Sequence, residues 1–427
     1  MSSQVTDYRL DGIYRQRQDG FFMQRIKLAA GVISADQARA VAAASARFGQ
    51  GTIHLTTRGS IEIHWLQEAD LFGVKKSLAA VGLTSRGACG GAVRGVTCAS
   101  QSSQVFPILE SMARTLHRHF VGNPRFERLP KKFKIGIEAD AVGRRHLIQD
   151  VGLVFAGGDI DGFRFDMYLG GGLGREPQAA FLYETALEES RIIPLVEAVA
   201  RVYAAHTPPG KRVKHLVREI GESEFRRRIS MEPSFQEEMP KMAGLSESLV
   251  PIASNHRIDI MCTFGGLSAR QLEELADFAT EWADGFLMVT GDQNIALHAA
   301  GTCNYVALEN ALLRAGFRLK GTTFRVCSGN HLCRAGLSPS RDIALAITAE
   351  MGAAAKVMSW ALSGCPNSCT QPQLADVGIV SSSLVKDQDG VRTPRFDLYR
   401  LGDEGLGTAL KQSLTLGELC REVRCLG

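Results

Sequence analysis

Residues 31–64 read GVISADQARAVAAASARFGQGTIHLTTRGSIEIH, and residues 265–298 read GGLSARQLEELADFATEWADGFLMVTGDQNIALH. The two stretches align without a gap at an offset of 234 positions, and these residues recur identically: Gly31, Ser34, Ala35, Gln37, Ala42, Gly51, Thr56, Ile61 and His64. Each copy predicts a serine N-cap, a helix of about 14 residues and a glycine at its end. Two stretches with alternating apolar residues follow and predict strands.

The match between the two copies continues downstream with gaps. IQDVGLV at residues 148–154 resembles LADVGIV at 374–380, and FDMYLGGGLG at 165–174 resembles FDLYRLGDEGLG at 396–407. Three matches in the same order argue against chance similarity between two αβ segments. The sequence therefore predicts two copies of one unit of roughly 200 residues.

The copies differ at positions that could carry chemistry. Copy one has Arg58 where copy two has Asp292. Copy one has LPKKFKIGIE at 129–138, in about the region where copy two has MSWALSGCPNSC at 358–369. Cations are therefore concentrated in copy one, and cysteines in copy two.

Composition narrows the class of protein. The chain has 427 residues, of which 45% are hydrophobic and 22% charged, with a formal net charge of +4. This mildly basic balance allows an anionic substrate and does not require nucleic acid. The start has no apolar signal-peptide region, and no apolar run approaches the roughly 18 residues of a membrane span. We expect a cytoplasmic protein whose ten cysteines do not form a disulfide framework.

Four cysteines of copy two form two unlike pairs. A C-x5-C pair and a C-x3-C pair follow one another, at Cys327, Cys333, Cys365 and Cys369. Four thiolates from two different loops suit a [4Fe–4S] cluster. Structural zinc, whose cysteine pairs are usually tighter and alike, and unrelated packing cysteines are the alternatives. A dithiol redox pair is disfavoured because no C-x-x-C is present.

A set of cations lies in copy one. Arg58 stands in LTTRGSIEIH, Arg94 in CGGAVRGVTC, and Lys132 and Lys134 in LPKKFKIG. On a strand the two lysines share one face, and Phe133 points to the other, toward the core. Two neighbouring ammonium groups repel each other, so an anion between them would explain the pair. A solvated strand face is the alternative explanation.

Taken together, these segments resemble the sirohaem-containing sulfite and nitrite reductases. The resemblance covers about residues 10–420 and rests on a joint pattern that includes CGGAVRGVTC and SGCPNSC, at 363–369. LTTRGSIEIHW, LPKKFKIG, MYLGGGLG and the C-x5-C pair belong to the same pattern. The family is built from two pseudo-symmetric halves, as the internal repeat predicts for this chain.

The resemblance implies a role for each candidate residue. The cluster ligands would be Cys327, Cys333, Cys365 and Cys369, the last also bridging to the sirohaem iron. The substrate cations would be Arg58, Arg94, Lys132 and Lys134. Further sirohaem contacts would come from Lys214, Asn367 and Thr57. For Lys214 a solvated helix face is an equally good explanation.

The resemblance implies six-electron reduction of sulfite to sulfide. Nitrite reductases of the family commonly have asparagine at the position of Lys134, so a lysine favours sulfite. Nitrite reduction to ammonia, a precorrin-3B synthase-like activity and a non-catalytic electron-transfer subunit are the alternatives. GGGLG at 170–174 is not a dinucleotide fingerprint. Electrons must therefore come from an external donor, a ferredoxin or a flavoprotein subunit.

The expected fold is mixed α/β, with three domains related by a pseudo-two-fold axis and built from two homologous halves. Residues 11–80 and 254–320 are expected to form paired ferredoxin-like lobes. Residues 81–253 would form the substrate-side sirohaem domain, and residues 321–427 the domain of the iron–sulfur cluster. We expect no membrane span and no nucleic-acid partner.

Overall fold

The structure is a computed structural model that describes residues 8–159, 162–239, 257–300, 303–386 and 390–426. Within these ranges the strands form four sheets. The α-helices are Ala35–Phe48, Leu71–Ala79, Phe106–Phe120, Glu189–His206, Val213–Ile220, Glu222–Ser230, Ala269–Trp282, Tyr305–Arg314, Gly329–Leu332, Ser340–Glu350, Ala353–Val357 and Leu416–Arg424. The fold is therefore mixed α/β, as predicted.

Two sheets are built by the repeated segments, and each takes a strand from the other copy. In spatial order, the first contains Ile13–Arg15, Phe21–Ile26, Ile61–Gln67, Thr52–Leu55 and Gly266–Ser268. The second contains Arg257–Ile260, Ile295–His298, Phe286–Val289 and Val32–Ser34. The exchanged strands occupy equivalent positions of the repeat. The exchange is thus reciprocal, and this gives the two lobes their pseudo-two-fold relation.

The other two sheets share one topology. In spatial order, the copy-one sheet contains Thr97–Cys98, Ile135–Glu138, Val151–Asp159, Gly162–Leu169 and Phe181–Glu188. The copy-two sheet contains Phe324–Val326, Trp360–Ser363, Val377–Lys386, Arg392–Arg400 and Thr408–Leu414. In both, the first three strands are parallel and the last two antiparallel. The downstream matches in sequence are therefore confirmed as equivalent strands.

The repeat extends to the helix caps. Ser34 and Ser268 each cap a helix of 14 residues, and in both the glutamine three positions later completes a capping box. The expected terminal glycine needs one correction, because the residue directly after the second helix is Ala283. The recurring glycine stands two positions further on. Gly51 and Gly285 have φ of 67° and 79°, a left-handed conformation that suits glycine.

Three main hydrophobic clusters fill the interior. One joins the two lobes and includes Ile53 and Ile61 of copy one with Leu272 and Ile295 of copy two. A second lies against the copy-one sheet, and a third against the copy-two sheet. We propose on this basis that the predicted domains, 11–80 with 254–320, 81–253 and 321–427, describe the chain. The boundary at 253–254 lies outside the described residues. Over the described residues, no helix has the length and apolar character needed to cross a membrane.

Candidate active site

The lysine pair lies just before a buried strand. The strand begins at Ile135, so the two lysines precede it rather than lie on it, and Phe133 makes a single parallel bridge to Val93. Phe133 is fully buried in the core, as predicted, while Lys132 and Lys134 are half-buried. The extended backbone therefore keeps both ammonium groups on the side away from the core.

Burial and mutual repulsion make both lysines weaker bases. Burial lowers the pKa of Lys132 to about 8, with Arg212 and Arg94 adding to the shift and the negative charge of Cys369 opposing it. The pKa of Lys134 lies well below its usual value, first through burial and then through the charge of Lys132. Amines of this kind can release a proton near neutral pH.

Arg58 lies beside the lysine pair. Its Nη1 donates to Gln149 Oε1 at 3.0 Å, and its Nη2 donates to the carbonyl of Gly95 at 2.8 Å. Burial lowers its pKa to about 9, and the charges of Arg94 and Arg212 lower it further. The positive charges of copy one therefore converge in one region.

Arg94 belongs to the same region, but its guanidinium contacts its own loop. Its two terminal nitrogens donate to the backbone carbonyls of Gly87 at 3.1 Å, Cys89 at 2.9 Å, Ala92 at 3.2 Å and Gly90 at 2.8 Å. Burial lowers its pKa to about 10. Arg94 thus closes the glycine-rich loop, and its contact with a substrate remains a prediction.

A buried ion pair beneath the lysines was missed from the sequence. Arg212 Nη2 lies 2.7 Å from Asp150 Oδ2, and the same carboxylate oxygen accepts the backbone N–H of Lys134 at 2.8 Å. Both members of the pair are buried. Asp150 therefore fixes the backbone that presents Lys134. No spacing or motif links residues 62 positions apart, so only the fold reveals the pair.

Replacing Asp150 with alanine is expected to lower the free energy of unfolding by about 3–5 kcal/mol, because Arg212 would stay buried without its partner. Urea titration followed by circular dichroism measures the change. Glu222→Ala is the matched control, since Glu222 is exposed and its partner Arg226 stays in contact with solvent. The control is expected to change stability little. Equal effects of the two substitutions would contradict the role of the buried pair.

The four cysteines of copy two lie on the segments that follow the first two strands of the copy-two sheet, Phe324–Val326 and Trp360–Ser363. Cys365 is buried, Cys327 is half-buried, and Cys333 and Cys369 are exposed. Burial raises the pKa of Cys327, Cys333 and Cys365, and the nearby Cys369 raises each of them further. Cys369 therefore lies within electrostatic range of the other three thiols.

Glycine allows the cysteine loops to approach each other. The backbone N–H of Gly364 donates to Cys327 Sγ at 3.1 Å. A Cβ added at Gly364 would lie 2.4 Å from Ser340 Oγ and 3.4 Å from Cys327 Sγ. A larger residue would therefore push the two loops apart.

Hydrogen bonds connect the segment around Cys369, the last cysteine of the set, to copy one. Thr57 Oγ1 donates to the carbonyl of Cys369 at 2.8 Å, and Gln371 Nε2 donates back to the carbonyl of Thr57 at 3.3 Å. Thr57 is the neighbour of Arg58. The cysteine set of one copy and the cation set of the other therefore meet at a single interface between the halves.

The first copy matches two known domain families. The nitrite/sulfite reductase ferredoxin-like half domain matches residues 14–81, and the nitrite and sulphite reductase 4Fe-4S domain matches residues 94–237. The chain is 27% identical over 457 residues to the chloroplastic ferredoxin–nitrite reductase of Arabidopsis thaliana, covering 95% of this chain and 75% of that protein. It is 25% identical over 456 residues to sulfite reductase (ferredoxin) 2 of Mycolicibacterium paratuberculosis, covering 95% and 81%.

The chain belongs to the nitrite and sulfite reductase family. Its fold is also that of a solved structure, the NirA protein of Mycobacterium tuberculosis, with a TM-score of 0.85 and 21% sequence identity over 99% of this chain and 87% of NirA. The family's cofactors are sirohaem and a [4Fe–4S] cluster. The predicted family, fold and cofactors are thus confirmed.

The residues of this reductase fit the cluster. Cys98 is the one cysteine within residues 94–237, so we propose that the ligands come from the equivalent region of copy two. Among the described residues, no three His, Cys, Asp or Glu side chains lie close enough together to hold a single metal ion. A [4Fe–4S] cube instead takes one thiolate at each of four separate corners. Four free thiols, one of which interacts electrostatically with the other three, are chemically the donors that such a cube requires.

Lys214 is not on a solvated helix face, so that explanation was wrong. It is buried with Val213, Leu216 and Val217, and burial lowers its pKa to about 8. Its Nζ donates to the carbonyl of Leu173, within MYLGGGLG, and to that of Glu176, just after it. Its predicted contact with the sirohaem carboxylates remains a prediction. The same holds for Asn367, which is exposed between Cys365 and Cys369.

Asp292, the copy-two equivalent of Arg58, has its negative charge paired with two arginines. Asp292 lies 2.7 Å from Arg145 Nη2 and 3.0 Å from Arg325 Nη1, and these two arginines hold its pKa well below its usual range against the effect of burial. Copy two therefore has an ion-pair network where copy one has a cation facing Gln149. Two further cysteines lie near the end of the described chain: Cys420 is half-buried and Cys425 is exposed.

Proposed function

We propose that this reductase converts sulfite to sulfide with six electrons. The observation that carries the proposal is the meeting of the lysine pair with Cys369. The charge of Cys369 acts to raise the pKa of Lys132. Thr57, next to Arg58, donates a hydrogen bond to the carbonyl of the same cysteine. An anion held by the cations would therefore sit beside the thiolate proposed to bridge cluster and haem.

The residues of the site would have three roles: binding the substrate, donating protons and holding the cofactors. Arg58 provides a fixed charge on the substrate, because Gln149 and Gly95 orient its guanidinium. Lys132 and Lys134 provide protons to each departing oxygen, which their lowered pKa values favour. The four cysteines would hold the cluster, and the coupled sirohaem and cluster would supply electrons one at a time.

Lys134 supports sulfite as the substrate. Sulfite is a dianion with three oxygens, so it offers more acceptors to a cluster of cations than nitrite does. The alternative of nitrite has one observation in its favour. Arg94 donates four hydrogen bonds to loop carbonyls, and this leaves three cations of the predicted set, enough for a monoanion.

A ferredoxin is the proposed electron donor. The relatives from Arabidopsis thaliana and Mycolicibacterium paratuberculosis both carry ferredoxin in their names. Cys333 and Cys369 are exposed, so the proposed cluster lies near the surface, where a small protein could deliver electrons. A flavoprotein subunit is the alternative donor, and a cytoplasmic location remains a prediction.

Anaerobic turnover with photoreduced methyl viologen tests the substrate, with sulfite and nitrite in separate cuvettes. Dithionite is avoided because it releases sulfite. We expect faster turnover of sulfite, with sulfide as the product. A strong preference for nitrite would show that Lys134 does not decide the substrate. Absence of both activities in protein with a normal haem spectrum would instead favour the precorrin-type or electron-transfer alternatives.

A further inference from the structure

Ser340 lies where the two loops that carry the four cysteines meet. It is the first residue of the helix Ser340–Glu350, and its side chain is fully buried. Its hydroxyl oxygen lies 3.5 Å from Cys327 Sγ, within hydrogen-bond distance for a sulfur atom. The proposed reaction gives this hydroxyl no role.

Two glycines, one beside each pair of cysteines, make room for the hydroxyl. A Cβ added at Gly329, inside the C-x5-C loop, would lie 2.6 Å from Ser340 Oγ. A Cβ added at Gly364, directly before the C-x3-C pair, would lie 2.4 Å from the same atom. A larger residue at either position would therefore displace the hydroxyl from Cys327. The backbone of both loops is thus shaped around Ser340.

The hydroxyl is the donor of this bond whenever Cys327 is deprotonated. A thiolate has no proton to give, and the thiolate is the form of cysteine that binds iron. Cys327 Sγ also accepts the backbone N–H of Gly364 at 3.1 Å. Two hydrogen bonds therefore converge on one proposed ligand sulfur, and the one from Ser340 can be removed by replacing a side chain.

Arg341 brings a positive charge to the same place. Burial lowers its pKa and Cys327 opposes that shift, so the guanidinium lies within electrostatic range of the sulfur. Arg341 Nη2 lies 3.3 Å from Nδ1 of the buried His54, a residue of copy one. Because a guanidinium only donates, His54 accepts as a neutral ring, and burial lowers its pKa to about 3. His54 therefore fixes one end of the guanidinium.

We propose that Ser340 and Arg341 are positioning residues that act through Cys327 to raise the reduction potential of the [4Fe–4S] cluster. The inference rests on the proposed ligation of the cluster by the four cysteines. One electron from the donor adds one negative charge to the cluster and its sulfur ligands. A hydrogen-bond donor and a cation beside one of these sulfurs stabilise the reduced form more than the oxidised form.

A potentiometric titration of the cofactor-loaded protein tests the proposal without substrate and without turnover. Photoreduced methyl viologen supplies the electrons, and the electron paramagnetic resonance of the reduced cluster reports the midpoint potential. We expect Ser340→Ala to lower the equilibrium constant of the one-electron reduction about tenfold, a fall of about 59 mV. We expect Arg341→Gln to lower it by at least as much, because it removes a full charge.

Ser381→Ala is the matched control for the lost hydroxyl. Ser381 is also a fully buried serine of copy two, but its hydroxyl bonds to that of Ser338, at 2.6 Å. Its midpoint potential should equal that of the wild type. Arg341→Lys keeps the positive charge, so it should recover most of the potential that Arg341→Gln loses.

Iron and acid-labile sulfide content separates an effect on potential from an effect on assembly. A wild-type potential in fully loaded Ser340→Ala or Arg341→Gln would overturn the proposal. Loss of the cluster from Ser340→Ala, with Ser381→Ala fully loaded, would also overturn it, because the hydroxyl would then serve assembly.

Cys327→Ser tests the ligand assignment separately. Full iron and sulfide content in this variant would show that Cys327 does not hold the cluster. The choice between sulfite and nitrite does not enter the titration, so an error in the proposed substrate would leave the measured potentials and their interpretation unchanged.

Discussion

Lys134→Ala is expected to lower sulfite turnover by about 10²–10³-fold, because the variant lacks both a charge and a proton donor at the substrate. If the lysine donates its proton as the oxygen departs, the substitution should lower kcat and change KM little. Lys132→Ala should behave similarly, since the charge of Lys132 also lowers the pKa of Lys134. Turnover with photoreduced methyl viologen measures the loss, and the absorption spectrum verifies that the cofactors are bound.

Lys131→Ala is the matched control for the lysine pair. Lys131 is exposed and adjacent in sequence, so its loss should leave sulfite turnover close to that of the wild type. Lys134→Asn tests the substrate separately, and we expect it to lose sulfite turnover while retaining more of any nitrite turnover. Sulfite turnover near the wild-type value in both Lys132→Ala and Lys134→Ala would refute the assignment.

Cys369→Ser is expected to abolish sulfite turnover and to remove the cluster signal. Cys369 interacts electrostatically with Cys327, Cys333 and Cys365, as expected for one of four corner ligands of a cube. A serine hydroxyl is a far poorer ligand for iron than a thiolate. Iron and acid-labile sulfide content, together with the electron paramagnetic resonance of the reduced protein, measure the loss.

Cys425→Ser is the control for cysteine loss. Cys425 is exposed on the turn that follows the helix Leu416–Arg424, and it takes no part in the four-thiol set. Its substitution should change neither iron content nor turnover. A Cys369→Ser protein with full iron and sulfide content would show that the cluster is held by other residues.

The sequence was sufficient for the repeat and for the local elements. Ser34 and Ser268 act through hydrogen bonds to residues three positions away, and alternating strands depend on the same short range. The cysteine spacing was equally local, and the family findings bear out the cluster it predicted. Lys132 and Lys134 were recognised for the same reason, as two like charges on one side of an extended segment.

Only the tertiary structure decided how the two copies combine. The exchange of the strands Val32–Ser34 and Gly266–Ser268 joins positions separated by more than 200 residues, and no local pattern encodes such pairing. The burial of Lys214 was misjudged for a related reason: whether a charged helix face meets solvent depends on the loop packed over it. The Arg212–Asp150 pair likewise exists only when distant segments meet. Short-range hydrogen bonding and side-chain alternation are written in the sequence itself, whereas burial and long-range electrostatics are properties of the packed chain.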